Sequence, residues 1–274
     1  MTDVLEESAA LGELVARDTQ GFLALVRREV SLACIQGKKQ AGLVELDGRR
    51  AYFKLGPLRG KSRLRHALRA RLLGLSYPAL AEFDNLTWLR RNGFGAPLPL
   101  AAGVFRRGSL PLFQFLYTEE VPGARDLGSL GGEETREDLG PVLRALGRDL
   151  ARLHARGFVH RDLFPRNVLV TGGAREPAVH FLDCRRGGAR PGLRGPSHDL
   201  ACLMVRAGEL FGEDDQVDFF EAYCAERERQ GRPFRTKTLA SVRRQRNRLA
   251  RRERRRKDAP PPPPDWVPPR IPGA

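Results

Sequence analysis

Three features of the sequence predict an α+β chain built as two lobes, the first rich in strands and the second mainly helical. Short β-type runs at Gly42–Leu46 and Arg50–Leu55 are joined by Asp47-Gly48, and Asp-Gly between such runs is a strong hairpin signal. Residues 133–156 spell an amphipathic helix, with Leu139, Leu143, Leu146, Leu150 and Leu153 on one stripe. Between these parts, Glu119–Asp126 breaks the regular pattern and reads as a link between two lobes that share a cleft.

The remaining elements fall into place along the chain. Residues 1–29 read as an N-terminal extension packed on the first lobe, with mixed, partly helical periodicity over 9–28. The first lobe covers residues 30–118, with further strands at Val30–Ile35, at about 100–106 and at about 111–118. Within it, residues 59–73 are rich in Arg and Leu and read as a basic helical insertion. A second helix follows Pro78, carries Leu80, Phe83, Leu86 and Leu89, and stops at Asn92-Gly93. Residues 119–126 are the interlobe hinge and 127–235 the second lobe, with short strands at 167–170 and 179–182 and helices from about 197 to 229. Residues 236–257 read as a solvated basic helix. Residues 258–274 form a Pro-rich tail, in which Pro260–Pro264 is a rigid polyproline stretch and the following Asp-Trp-Val-Pro is not expected to join a core.

Composition narrows the classes. The 274 residues are 41% hydrophobic, enough for a core shared by two lobes and too apolar for a disordered chain. No apolar stretch approaches the roughly 18 to 20 residues of a membrane-spanning helix. The first residues lack the basic start and apolar core of a secretory signal. Cys34, Cys184, Cys202 and Cys224 are scattered and read as reduced thiols, neither a disulfide framework nor a zinc site. The expected compartment is the cytoplasm, with peripheral association at the inner membrane as a further expectation. The formal charge of +15 is unevenly spread: residues 225–257 hold fifteen Lys or Arg against three Glu, and residues 1–224 carry only +4.

The chemistry is concentrated in His160-Arg161-Asp162-Leu163-Phe164-Pro165-Arg166-Asn167, followed by a hairpin strand that ends in Asp183. Phosphoryl transfer asks the protein for positioning and charge neutralisation more than for covalent chemistry. One carboxylate must orient the attacking hydroxyl and take its proton; a second carboxylate and an amide oxygen suit magnesium, a hard cation that prefers oxygen. Asp162 and Asn167, five positions apart on one loop, and Asp183 on the neighbouring strand supply that set. A bland alternative is that Asp162 and Asn167 merely cap a turn, which does not explain the whole ordered run.

This run resembles the catalytic loop of the protein-kinase-like superfamily, His-Arg-Asp-Leu-x-x-x-Asn, and matches it in full. The resemblance implies Asp162 as catalytic base, Asn167 and Asp183 as metal ligands, His160 and Arg161 as loop supports, and ATP with Mg2+ as cofactors. It further implies that Lys54, at the end of Ala51-Tyr52-Phe53-Lys54, binds the nucleotide phosphates and pairs with Glu82. The interlobe segment, at Glu119 and Val121, is expected to contact the nucleotide. Asp199, in Ser197-His198-Asp199-Leu200, opens a helix and is either an N-cap, an anchor for the loop backbone, or both. Gln36–Gly42 departs from Gly-x-Gly-x-x-Gly; Gly37 and Gly42 with the intervening lysines either cradle phosphates or form a plain β-turn. Asp183-Cys184-Arg185-Arg186-Gly187 likewise departs from Asp-Phe-Gly, which removes a Phe-driven activation switch.

Only fifteen residues separate Asp183 from Asp199, and no Ala-Pro-Glu follows, leaving little room for a peptide-docking platform. The layout is most similar to the bacterial lipopolysaccharide kinase family, which phosphorylates heptose or Kdo (3-deoxy-D-manno-octulosonic acid) of the inner core. Carrying that resemblance are the basic insertion Arg59–Arg65, the Leu-Arg-Arg-Asn-Gly-Phe-Gly-Ala-Pro run after Glu82, Tyr117–Leu127, and Asp-Cys-Arg-Arg at 183–186. The expected partners are an anionic glycolipid or sugar acceptor and, through residues 236–257, an anionic membrane surface; nucleic acid ranks behind these. Kinases of another small molecule or of protein Ser/Thr, and a pseudokinase scaffold, are the competing readings.

Overall fold

Burial alternates along Leu110–Glu119, where Pro111, Phe113 and Phe115 are buried while Leu112 and Gln114 stay partly exposed. That period of two marks a sheet with one face on a core. In a computed structural model the described residues are 13–18, 39–46, 48–74, 76–107, 110–131, 139–173, 176–189, 195–234, 236–253 and 266–268. The chain divides into two compact units, Met1–Asn92 with Pro97–Val121, and Gly93–Ala96 with Pro122–Ala274. Together they make the two-lobed α+β arrangement, strand-rich first and mainly helical second.

The first unit holds β1 (Glu13–Asp18), β2 (Gln40–Leu46), β3 (Arg49–Pro57), α1 (Gly60–Leu73), α2 (Pro78–Arg91), β4 (Pro99–Arg107) and β5 (Leu110–Glu119). The strands form one antiparallel sheet in the order β1-β4-β5-β3-β2. The β2–β3 hairpin closes with Leu46 opposite Arg49, and Gly48 sits at φ +72°, where a Cβ would be strained. Ala51, Leu55, Ala101, Phe105, Phe113, Phe115 and Tyr117 make the core on one face of the sheet. Pro78 at the first turn starts α2, whose Leu80, Leu86 and Leu89 are buried. β1 is a finding that corrects the sequence reading: its partly helical periodicity gives way to a strand paired with β4 from Glu13↔Arg106 to Asp18↔Ala101. A waiting sheet edge overrides weak local preference. The strand read at Val30–Ile35 lies outside the described residues.

The second unit contains β6 (Arg125–Asp126), α3 (Leu127–Gly131), α4 (Gly140–Ala155), β7 (Phe158–Val159), a 3-10 turn (Pro165–Asn167), β8 (Val168–Thr171), β9 (Ala178–Phe181), β10 (Gly188–Ala189), α5 (Ser197–Leu203), α6 (Ala207–Leu210), α7 (Glu213–Arg229) and α8 (Thr236–Glu253). Leu143, Leu146, Leu150 and Leu153 of α4 are buried, and the helix packs along α7, where Phe219, Phe220 and Tyr223 are buried too. Strands β6, β8 and β9 form a small sheet, and β10 pairs with β7. Cys184 and Cys202 are buried free thiols and Cys224 is a half-buried one.

Two readings of the C-terminal region are corrected. The basic helix α8 is not simply solvated: it packs on α5 and buries Val242, Arg246 and Ala250. Arg246 is only 2% exposed and donates to the carbonyls of Met204 and Val205, which follow α5, at 3.3 and 2.9 Å. Such a cation suits the carbonyl-rich end of a helix. In the Pro-rich tail, Trp266 is buried, stacks on Phe220 at 6.2 Å, and donates from Nε1 to Gln216 at 2.8 Å. An indole that finds both an aromatic face and an acceptor gains more from burial than its flanking prolines suggest. Exposed arginines of the same helix, such as Arg248, lack such a setting. Arg246→Met is therefore expected to destabilise the protein by about 2 kcal/mol or more, and Arg248→Ala by less than about 0.5 kcal/mol, in urea unfolding.

Candidate active site

The loop from His160 to Asn167 leaves β7 and enters β8, and its shape is set by hydrogen bonds from three directions. Asp199, in the first turn of α5 and fully buried, accepts from the backbone N–H of His160 and of Arg161, each at 2.6 Å. Farther along, Phe164 N–H donates to Asp162 C=O and Asn167 N–H to Phe164 C=O, both at 2.8 Å, closing the turn. The Asn167 side chain then reaches back, Nδ2 donating to the Asp162 carbonyl at 2.7 Å. Asn167 and Asp162 are thereby locked to one another. With its amide nitrogen committed, the buried Asn167 presents its oxygen as the atom suited to a hard cation.

Asp183 follows β9 and is tied to the same loop through its neighbour, since Leu182 N–H donates to Asn167 C=O at 2.9 Å. Arg161, at φ +65°, and Asp183, at φ +54°, are the two non-glycine residues with positive φ among those described. Each sits where L side chains pay a steric cost, which persists because the surrounding bonds over-determine the backbone. Gly187 is needed for a different reason. A Cβ there would lie 2.5 Å from the Val159 carbonyl oxygen and 2.8 Å from that of His160, so only glycine lets the chain after Asp183 pass the loop and pair as β10 with β7.

Beneath the loop lies a network that sequence reasoning missed. His154 of α4 is buried, with Nε2 3.2 Å from Asp199 and Nδ1 2.8 Å from the Tyr223 hydroxyl. An ionised Asp199 only accepts, so Nε2 carries the hydrogen and Nδ1 accepts from Tyr223. Burial pushes the His154 pKa below its ordinary 6.5, which the hydrogen bond to Asp199 only partly opposes. Burial likewise lowers His160, against the attraction of Asp199, Asp162 and Asp183. Both imidazoles are held neutral. For Asp199 burial favours the protonated form, but the hydrogen bonds from the His154 ring and the His160 amide outweigh it and keep its carboxyl below the ordinary 3.8. A histidine breaking the Leu150–Leu153 stripe was the available signal for His154; Tyr223 gave none.

In the first unit, Lys54 on β3 meets Glu82 on α2 at 2.9 Å, with the glutamate nearly buried and the lysine half-buried. Glu119 ends β5, its N–H donating to Leu98 C=O at 2.8 Å, and Val121 is the last residue of this unit. Gly42 lies inside β2 opposite Phe53 in ordinary strand conformation, whereas Gly37 is outside the described residues. The structure thus joins His160, Arg161, Asp162, Asn167 and Asp199 by direct bonds, brings Asp183 beside them, and pairs Lys54 with Glu82.

A strand-rich unit bearing a Lys–Glu pair and a helical unit bearing this loop define a protein-kinase-like fold. The acyl-carrier-protein-bound structure of WaaP resembles it with a TM-score of 0.52, at 20% identity, over 89% of this chain and 92% of that one. Residues 39–223 match the lipopolysaccharide kinase (Kdo/WaaP) family, and the chain belongs to that family. Among curated relatives, a 3-deoxy-D-manno-octulosonic acid kinase of Actinobacillus succinogenes is 30% identical over 152 residues, 53% of this chain and 62% of that protein. One of Vibrio parahaemolyticus is 30% identical over 105 residues, 38% of this chain and 43% of the relative. The matched regions therefore span less than two thirds of these relatives. Among the described residues, no helix is long and apolar enough to cross a membrane.

The buried histidines make stability depend on pH. Folded, they stay neutral; unfolded, they take up protons below the ordinary 6.5, so the unfolded state binds more protons as pH falls. Their contribution is complete above that value and is lost below it, at a limiting slope of about 1.4 kcal/mol per pH unit for each histidine. Asp199 adds its loss only in stronger acid, below the ordinary 3.8. Urea unfolding followed from about pH 8 to 5 should show a falling midpoint, and a shallower fall in His154→Gln.

Proposed function

We propose that this chain is an ATP- and Mg2+-dependent kinase that transfers the γ-phosphate to a sugar hydroxyl, with heptose or Kdo of the lipopolysaccharide inner core as the acceptor. The observation that carries this reading is the Asp199-anchored loop, which holds Asp162 and Asn167 in one hydrogen-bonded turn beside Asp183. Membership of the family and the names of its curated relatives support the acceptor class.

In this reading Asp162 orients the acceptor hydroxyl and accepts its proton. The hydroxyl oxygen bonds to the γ-phosphorus as the bond from that phosphorus to the β–γ bridging oxygen breaks, and ADP leaves. The donor set fits the metal: the Asn167 amide oxygen and the Asp183 carboxylate are hard oxygen ligands, and Mg2+ usually takes one or two such groups alongside phosphate and water. Bound there, the ion supplies neutralisation of triphosphate charge. Lys54, steered by Glu82, is assigned to the α and β phosphates. Glu119 and Val121 are assigned to the nucleotide by the family resemblance alone.

Offering the purified protein labelled ATP with lipopolysaccharide core, small sugars and a generic protein tests this directly. The expected outcome is label on the core, located on heptose or Kdo by intact mass, and a loss of about a thousandfold or more in Asp162→Asn. Label on protein or on a small sugar alone would replace the acceptor. Equal ATP consumption by wild type and Asp162→Asn would leave a scaffold without turnover.

A further inference from the structure

Helix α1 carries leucines on the wrong side for a helix that stabilises its own lobe. Leu64, Leu68, Leu72 and Leu73 are 62%, 59%, 68% and 65% exposed, and the first three recur at i, i+4 and i+8, forming one outward row. The side turned to the protein is instead lined by the partly buried Arg63, His66, Ala67 and Ala70, and Arg63 Nε donates to the Leu58 carbonyl at 2.9 Å. Leu64, Leu68 and Leu72, left in water along one row of a single helix, make a patch of the kind that marks an interaction surface.

The charges around the row say what covers it. Arg59, Lys61, Arg65, Arg69 and Arg71 are all exposed, and no acidic residue occurs between Arg59 and Leu73. We infer that α1 is an interfacial helix, seated on an anionic lipid bilayer with Leu64, Leu68 and Leu72 among the acyl chains and the arginines at the headgroups. Long cationic side chains flanking an apolar row can keep their charge at headgroup level while their stems lie in the apolar layer. A nucleic acid would use the arginines and leave the leucines wet. A protein groove would have to be both apolar and acidic, and binding of an acidic protein in the absence of vesicle binding would overturn the inference. The basic helix α8 is the weaker candidate: its apolar Val242 and Ala250 face the protein, so it offers a bilayer charge without insertion. This surface is independent of the acceptor reading, because its test is binding and not turnover.

The test is cosedimentation of the full chain with phosphatidylcholine vesicles, with or without phosphatidylglycerol. Wild type is expected on the anionic vesicles only, less so at high salt. Leu64→Gln/Leu68→Gln/Leu72→Gln should lower that binding about tenfold or more with little change in melting temperature, because the leucines lie mostly in water. Arg244→Gln/Arg248→Gln on α8 should keep most of the binding. As a second readout, Leu68→Trp should show a blue-shifted emission on anionic vesicles relative to the wild-type background. Failure of wild type to bind, equal binding by the triple-leucine variant, or loss only in the α8 variant would overturn the inference. So would RNA binding in the absence of vesicle binding.

Discussion

Ionising a carboxylate where water cannot reach it is unfavourable unless donors surround it, and at Asp199 the donors are the parts of the molecule that matter. Two are consecutive backbone amides of the loop, at His160 and Arg161, and the third is the neutral imidazole of His154. Each bond satisfies the buried charge, and the two amide bonds in the same stroke fix the start of the loop. Arg161 can remain at positive φ because its amide is held on one side of the torsion and the Asp162–Asn167 turn grips the chain on the other. The second strained residue, Asp183, is held from β9 and from the Leu182–Asn167 bond. Two left-handed residues, one bonded to that buried charge and one next to Leu182, which is tied to Asn167, mean that the groups assigned to chemistry are placed by the backbone.

How much of this can be read from the sequence follows from the range of each interaction. Spacing within a loop is local, so His160 through Asn167 are legible as a set, as are the Asp47-Gly48 hairpin signal and the leucine stripe of α4. Lys54 and Glu82 are legible only as types in the expected order; that they meet depends on the packing of α2 beside the sheet. The network beneath the loop is hidden, since His154 and Tyr223 lie 69 residues apart and no pattern joins them. Trp266 and Arg246 are illegible for the same reason: proline-rich and arginine-rich stretches are exposed on average, and single side chains within them find acceptors distant in sequence. In the sequence Gly187 looks like any turn glycine; its role lies in how closely β7 runs past it.

Positive charge is also put to different uses that composition merges. On α8 one arginine is buried as a ligand for carbonyls while its neighbours face solvent. On α1 the charges surround a row of leucines that faces outward. A net charge of +15 describes neither; the burial of individual side chains separates them.

Hydrogen exchange of the His160 and Arg161 amides is the most direct measurement of the central constraint, compared between the wild type and Asp199→Asn. If Asp199 holds the loop, both amides exchange in the wild type only as slowly as the surrounding core opens. In the variant, where an amide group replaces one acceptor oxygen, they should exchange at least about tenfold faster. Fast exchange of both in the wild type, or identical protection in the two proteins, would mean that the loop is shaped by something other than that carboxylate.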